Sequence, residues 1–240
     1  MAQVKKNNSD FRISKLHLKR LQNEFNEKQC IRLPAFLDPK IVGEVQEKIR
    51  SAVFYNRVHK DIALESCMKP NKAVELLNFL FNDPRLFDLI RTITGAGPIG
   101  CFVGRIYKMV PGGPHYDTWH GDLVEGRLLA MSINLSEGGA YEGGELQIKD
   151  KPSGKILCKI KHSGSGGMIM FRIAKNLRHR VLPIEGNVPR MVYAGWFRSH
   201  PPFMELLTSG YSKRKTDSKI KRRPLYGPKN KRKAQISLQY

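Results

Sequence analysis

The chain has 240 residues, 42 Lys and Arg against 21 Asp and Glu, a net charge of +21, and a hydrophobic fraction of 40%. That length suits one domain of generous size with short appendages, and the apolar share is enough for a real core. No run approaches the roughly 20 apolar residues of a bilayer-spanning helix, and the opening MAQVKKNNSD carries no apolar stretch of the secretory kind. A cytoplasmic protein without a membrane partner is therefore expected.

Residues 1–98 carry helical periodicity. Leu16, Leu18, Leu21 and Phe25 fall on one face, and Val42, Val45, Ile49 and Val53 repeat at spacings of three and four. Asn71 is placed to cap a helix running to Phe81. Asp83 and Pro84 restart another through Thr94, which Gly95-Ala96-Gly97-Pro98 stops.

Residues 99–204 change character. Short runs rich in β-branched and aromatic residues lie between glycine clusters: Phe102–Val110, Leu128–Leu135, Glu145–Lys149, Ile156–Ile160, Met168–Ile173, His179–Pro183 and Met191–Phe197. Many short strands with regular turn signals predict an antiparallel sandwich or barrel. Helices followed by strands, without β-α alternation, exclude a doubly wound sheet and give an α+β chain with a mainly β core.

Residues 205–240 form a basic tail. Between Ser212 and Lys233 the only acid is Asp217, among Lys213, Arg214, Lys215, Lys219, Lys221, Arg222, Arg223, Lys229, Lys231, Arg232 and Lys233. Like charges in a block repel and stay extended, so the tail is either a solvated segment or a contact for a polyanion. Cys30, Cys67, Cys101 and Cys158 are widely spaced with no CxxC pair, which predicts reduced thiols in or near the core.

The residues with chemistry lie in the strand-rich zone. His120-Gly121-Asp122 places an imidazole and a carboxylate two apart, a spacing that on a strand turns both to one face. His179 follows 57 residues after Asp122. Two histidines and one carboxylate make the facial triad that suits non-haem Fe(II) and leaves positions open; the distal histidine is expected from a non-adjacent strand. Arg190, 11 residues beyond His179, can form a forked pair with a carboxylate. His115-Tyr116-Asp117 is a rival His-x-Asp pair. His120/Asp122 is preferred because the rival follows directly on a Pro-Gly-Gly-Pro turn, while Arg127 and a strand follow the second pair. Trp119 and Trp196 read as core walls, and His162 as an exposed residue beside a Ser-Gly loop.

The run Tyr107…Pro111-Gly112…Trp119-His120-x-Asp122…Arg127…Asn134-Leu135…Gly143-Gly144-Glu145-Leu146, continued by Gly167…Phe171…His179…Arg190…Trp196-Phe197, resembles the prolyl-4-hydroxylase-like branch of the Fe(II)/2-oxoglutarate oxygenases. The resemblance covers about residues 100–200. It implies a double-stranded β-helix, or jelly roll, with the N-terminal helices as support. It also implies His120, Asp122 and His179 as catalytic iron ligands and Arg190 as the anchor of 2-oxoglutarate. Asn134 stands where relatives often carry a tyrosine facing the co-substrate, and Tyr107 is a candidate substitute. Fe(II), 2-oxoglutarate and O₂ are the implied cofactors, with ascorbate as a candidate auxiliary. The implied reaction hydroxylates a small molecule or a peptidyl residue and releases succinate and CO₂. Asp122 itself favours hydroxylation over halogenation. Arg127 and the loop 136–142 are expected at the mouth. Two other readings stay open: an oxygenase acting on nucleic acid or a nucleic-acid-bound protein, and a non-catalytic metal-binding jelly roll.

Overall fold

The computed structural model describes residues 5–7, 10–58, 64–114, 117–137 and 141–204. The chain divides into a compact unit, Met1–Pro202, and a second unit, Phe203–Tyr240. The basic tail lies outside the described residues, as does His115.

In chain order the first unit begins with β1 (Lys5–Asn7) and β2 (Asp10–Arg12), followed by α1 (Lys15–Lys28), β3 (Cys30–Leu33), α2 (Pro39–Arg50), β4 (Phe54–Val58) and β5 (Leu64–Met68). Then come α3 (Lys72–Phe81), α4 (Pro84–Thr94), β6 (Cys101–Met109), β7 (Arg127–Asn134), β8 (Glu142–Gly143) and β9 (Leu146–Asp150). The last are β10 (Ile156–Ile160), β11 (Met168–Arg172), β12 (Leu177–Val181), β13 (Ile184–Glu185) and β14 (Arg190–Arg198).

Local chemistry sets the helix ends. The Asn71 side chain accepts from the Ala73 and Val74 amides to cap α3. Asp83 caps α4 ahead of Pro84, and Gly95 closes it in the left-handed region at φ 65°. The expected α1 face is only partly buried: Leu21 and Phe25 are covered while Leu16 is 84% exposed. α2 ends at Arg50, so Val53 falls outside the helix and is left exposed.

Among the described residues the strands form a seven-stranded antiparallel sheet, β3-β11-β7-β14-β6-β5-β4, and a three-stranded sheet, β10-β9-β12. The alternation along each strand of the large sheet separates two layers. Leu129, Met131, Ile133, Met168, Met170, Tyr193 and Phe197 join Leu21, Phe25, Leu77, Phe81 and Ile90 from the helices in one apolar cluster. On the other face Cys30, Ala130, Ile169 and Phe171 meet Leu146, Ile148, Cys158 and Leu177 of the small sheet. The fold is thus the expected jelly roll, with helices on the outer face of its large sheet.

One expectation is corrected. Cys30 and Cys158 form a disulfide across 128 residues, whereas Cys67 and Cys101 are free and buried. Both members of the pair point into the jelly roll from outer strands of the two sheets, β3 and β10. That proximity follows from topology and leaves no mark in the spacing.

Candidate active site

The open end of the jelly roll holds a cavity of about 430 Å³. Its wall includes His120, Asp122, His179, Arg190, Tyr107, Trp196, Asp117 and Phe171.

The two histidines are neighbours across one antiparallel bridge. The His120 amide donates to the His179 carbonyl at 3.0 Å and the His179 amide returns the bond at 2.9 Å. Directly opposed residues share a face, and the ring centroids lie 4.3 Å apart. The distal histidine thus comes from β12, a strand distant in the chain that the fold brings back beside the His120 segment. Asp122, just past the bridge, is 3.8 Å from His120 Nε2 through Oδ1 and 3.7 Å from His179 Nε2 through Oδ2. One ligating atom from each of the three side chains lies within 4.8 Å of the others. Two imidazole nitrogens and a carboxylate converging so closely suit a first-row divalent ion.

The surroundings prepare the donors. His120 Nδ1 lies 2.8 Å from the Thr118 carbonyl, so Nδ1–H donates there and the lone pair stays on Nε2, toward Asp122. Burial pushes the His179 imidazole down to about 4, with Asp122 acting against that shift; the ring is neutral at neutral pH. Phe171 packs on it with centroids 4.6 Å apart. The Trp196 indole N–H donates to Asp122 Oδ2 at 2.7 Å. Arg127 stacks on that indole, its Cζ 3.7 Å from the ring centroid, and reaches Asp122 Oδ1 at 3.7 Å. Trp196 is therefore more than a wall, and Arg127 steadies the site as well as lining it.

Arg190 opens β14 and is only 5% exposed. One terminal nitrogen finds the Met109 sulfur at 3.0 Å, Nε has no hydrogen-bond partner, and Cζ lies 5.8 Å from the Tyr141 ring centroid. A thioether and a ring face are weak partners for a buried cation. The forked donor set fits a carboxylate entering from the cavity. Gly143 and Gly144 make room nearby. Both have positive φ, and a Cβ on Gly144 would sit 2.6 Å from Ile184 Cδ1 and 3.3 Å from Arg190 Cδ.

The other expected residues are placed less uniformly. Tyr107 lines the cavity, and burial raises its hydroxyl well above the ordinary phenol. Asn134 is buried, and its side-chain oxygen accepts from the Ser136 amide at 3.0 Å; it is not part of the cavity wall. Asp117 of the rival pair lies in the cavity but outside the three-residue cluster. Burial pushes its carboxyl up to about 6, against the pull of His120 and Arg190. His162, expected to be exposed, is half-buried between Ser132 Oγ and the Gly167 carbonyl, each at 3.1 Å.

Residues 105–198 match the 2OG-Fe(II) oxygenase superfamily. A Pseudomonas putida prolyl-4-hydroxylase superposes with a TM-score of 0.57 at 17% identity, covering 77% of this chain and 100% of its own. A 2OG-Fe(II) oxygenase family oxidoreductase from Burkholderia pseudomallei gives 0.59 at 15%, covering 81% and 97%. A Trichoplax adhaerens prolyl hydroxylase, in complex with a hypoxia-inducible-factor oxygen degradation domain peptide fragment, gives 0.55 at 15%, covering 86% and 98%. No curated protein sequence matches. These structural likenesses concern the fold, and the superfamily match falls on the segment that carries the cavity. Over residues 105–198 the chain is similar to the 2OG-Fe(II) oxygenase superfamily, and its fold resembles those of prolyl hydroxylases.

Proposed function

We propose that His120, Asp122 and His179 hold Fe(II), that Arg190 anchors 2-oxoglutarate, and that the enzyme hydroxylates a small molecule or a single peptidyl side chain. The observation that carries this reading is a buried Arg190 guanidinium whose Nε has no hydrogen-bond partner among the described residues, on the wall of the cavity that also holds the three converging ligands.

Iron and 2-oxoglutarate, when bound, supply the oxidising chemistry with O₂ and release succinate and CO₂. The chain supplies placement and dryness. Arg190 fixes the far carboxylate of the co-substrate through its fork, and Tyr107 stands on the same wall to offer a hydroxyl. The Thr118 carbonyl holds the His120 tautomer, and Trp196 with Arg127 holds the Asp122 carboxylate. Ala130, Leu146, Ile169, Phe171, Val181 and Val192 line the cavity and keep water away from the reacting centre.

The cavity volume of about 430 Å³ is in the range of small-ligand sites. It leaves room for the co-substrate and one substrate group, not for a folded partner. Arg57 of β4, Leu64 and Glu65 at the start of β5, and Arg105 of β6 edge the same cavity and would meet the substrate. The test is turnover of 2-oxoglutarate to succinate by purified protein with Fe(II) and O₂, across panels of small molecules and peptides. Substrate-stimulated succinate release with a product gain of one oxygen atom is expected. Release that ignores both Fe(II) and every variant of His179 would overturn the reading.

A further inference from the structure

The outer face of the small sheet carries a concentration of positive charge that the oxygenase site does not use. Register places Arg178 opposite Lys149, and Arg180 and Lys159 on either side of Gln147. Directly opposed residues project from the same side of a sheet, and successive residues from opposite sides. His179 and Ile148 point into the jelly roll, so Arg178, Arg180, Lys149 and Lys159 point out. Trp119 lies over this face, with Lys149 Nζ 4.3 Å and Arg180 Cζ 4.5 Å from its ring. Beside it a groove of about 610 Å³ is lined by Trp119, His120, Gly121, Leu123, Lys151, Lys175 and Arg178.

Five cations thus lie at one indole or its groove, Lys149, Lys151, Lys175, Arg178 and Arg180, and Lys159 extends the same face. None pairs with a carboxylate among the described residues. Arg178 donates to the carbonyls of Lys175 and Leu177, and Arg180 to Gln147 Oε1. The nearby acids are engaged elsewhere, Asp150 by Ser153 and Asn176, Glu145 by Gln147. Six unpaired cations on one face repel one another unless an anion lies across them.

Among the described residues no carboxylate neutralises this face. The tail from Ser212 to Lys233 has a single acid, Asp217, and a second copy brings the same net charge of +21. The charge of this face is complementary to a separate polyanion. A β-sheet face that combines Lys and Arg with an aromatic ring offers contacts to phosphates and a surface for a base, the pairing that holds single-stranded nucleic acid. We propose that the outer face of β10-β9-β12, with Trp119, binds single-stranded nucleic acid by its phosphates. The face adjoins the segment carrying His120 and Asp122, since a Cβ on Gly121 would lie 3.0 Å from an Arg178 terminal nitrogen. A bound strand would lie next to the oxygenase site.

The experiment is fluorescence anisotropy of a labelled 20-nucleotide oligouridine with the full chain, without iron or 2-oxoglutarate, over a series of salt concentrations. The comparison is a full-length quadruple variant, Lys149→Gln, Lys151→Gln, Lys159→Gln and Lys175→Gln. Because the tail is identical in both proteins, its contribution cancels. Roughly tenfold or weaker binding is expected in the variant, with the salt slope reduced by about 3 for four lost phosphate contacts. Ultraviolet crosslinking of wild type should label the peptide containing Trp119. Equal affinity and equal slope in a variant that circular dichroism shows to be folded would overturn the proposal. So would vesicles of phosphatidylcholine and phosphatidylserine that bind through this face while the oligouridine does not. Because no step needs iron, failure here is separable from failure of the oxygenase reading.

Discussion

The Trp196 indole N–H donates to Asp122 Oδ2 at 2.7 Å, from near the end of the strand that Arg190 begins. One strand, β14, therefore carries both the candidate co-substrate anchor and the clamp on the carboxylate ligand. A carboxylate held in one rotamer presents its free oxygen to the metal without losing freedom on binding. Trp196→Phe keeps the ring under Arg127 and removes only the donor. Iron affinity in this variant should fall about 10- to 100-fold, the usual cost of losing such an outer partner. Anaerobic iron titration of wild type and variant measures it, and an unchanged affinity would show that the bond has no bearing on the metal.

Arg190→Lys keeps the charge and loses the fork. The 2-oxoglutarate KM should rise about 10- to 100-fold, as expected when a charge-assisted hydrogen bond is lost, with Fe(II) affinity retained. Arg190→Ala should be worse on the same axis. A co-substrate KM equal to wild type in Arg190→Ala would remove Arg190 from the anchor role.

Burial lowers the His162 imidazole to about 3, against about 6.5 in an unfolded chain. The folded state resists the proton that the unfolded state takes up, so this contribution is complete above pH 6.5 and is lost as pH falls toward 3. Thermal midpoints should drop between pH 7 and pH 5, and His162→Asn should make that drop shallower. A variant whose midpoint follows pH as steeply as wild type would contradict the assignment of this acid sensitivity to His162.

The Cys30–Cys158 disulfide joins the two sheets through their edge strands β3 and β10. Its loss through Cys30→Ala with Cys158→Ala should lower unfolding free energy by about 2–4 kcal/mol, in the range of natural cross-links closing long loops. Non-reducing peptide mapping checks the bond directly. Separate Cys30 and Cys158 peptides under non-reducing conditions would refute it.

Much of this arrangement is legible in the sequence, for identifiable reasons. Asn71, Asp83-Pro84 and Gly95 fix α3 and α4 because caps act within a few residues. The strands β6, β7, β10, β11 and β14 show because each is rich in β-branched, aliphatic or aromatic residues and is bounded by turn signals. β3, β4 and β5 do not show: Cys30–Leu33 is a four-residue strand after α1, and Phe54–Val58 and Leu64–Met68 mix polar and apolar residues without clear alternation. For the candidate site, His120, Asp122, His179 and Arg190 announce themselves by type and order. The bridge between His120 and His179, the Trp196 bond to Asp122 and the turn of Asn134 toward Ser136 do not. They depend on register between segments distant in the chain, and no local pattern records register.

The central claim is one iron site made by His120, Asp122 and His179 with Arg190 serving the co-substrate. Anaerobic equilibrium dialysis with Fe(II) and labelled 2-oxoglutarate tests it most directly, on wild type, His179→Ala and Arg190→Ala. The account predicts one Fe(II) and one 2-oxoglutarate per wild-type chain, no iron in folded His179→Ala, and iron without 2-oxoglutarate in Arg190→Ala. Full iron occupancy in folded His179→Ala would contradict it.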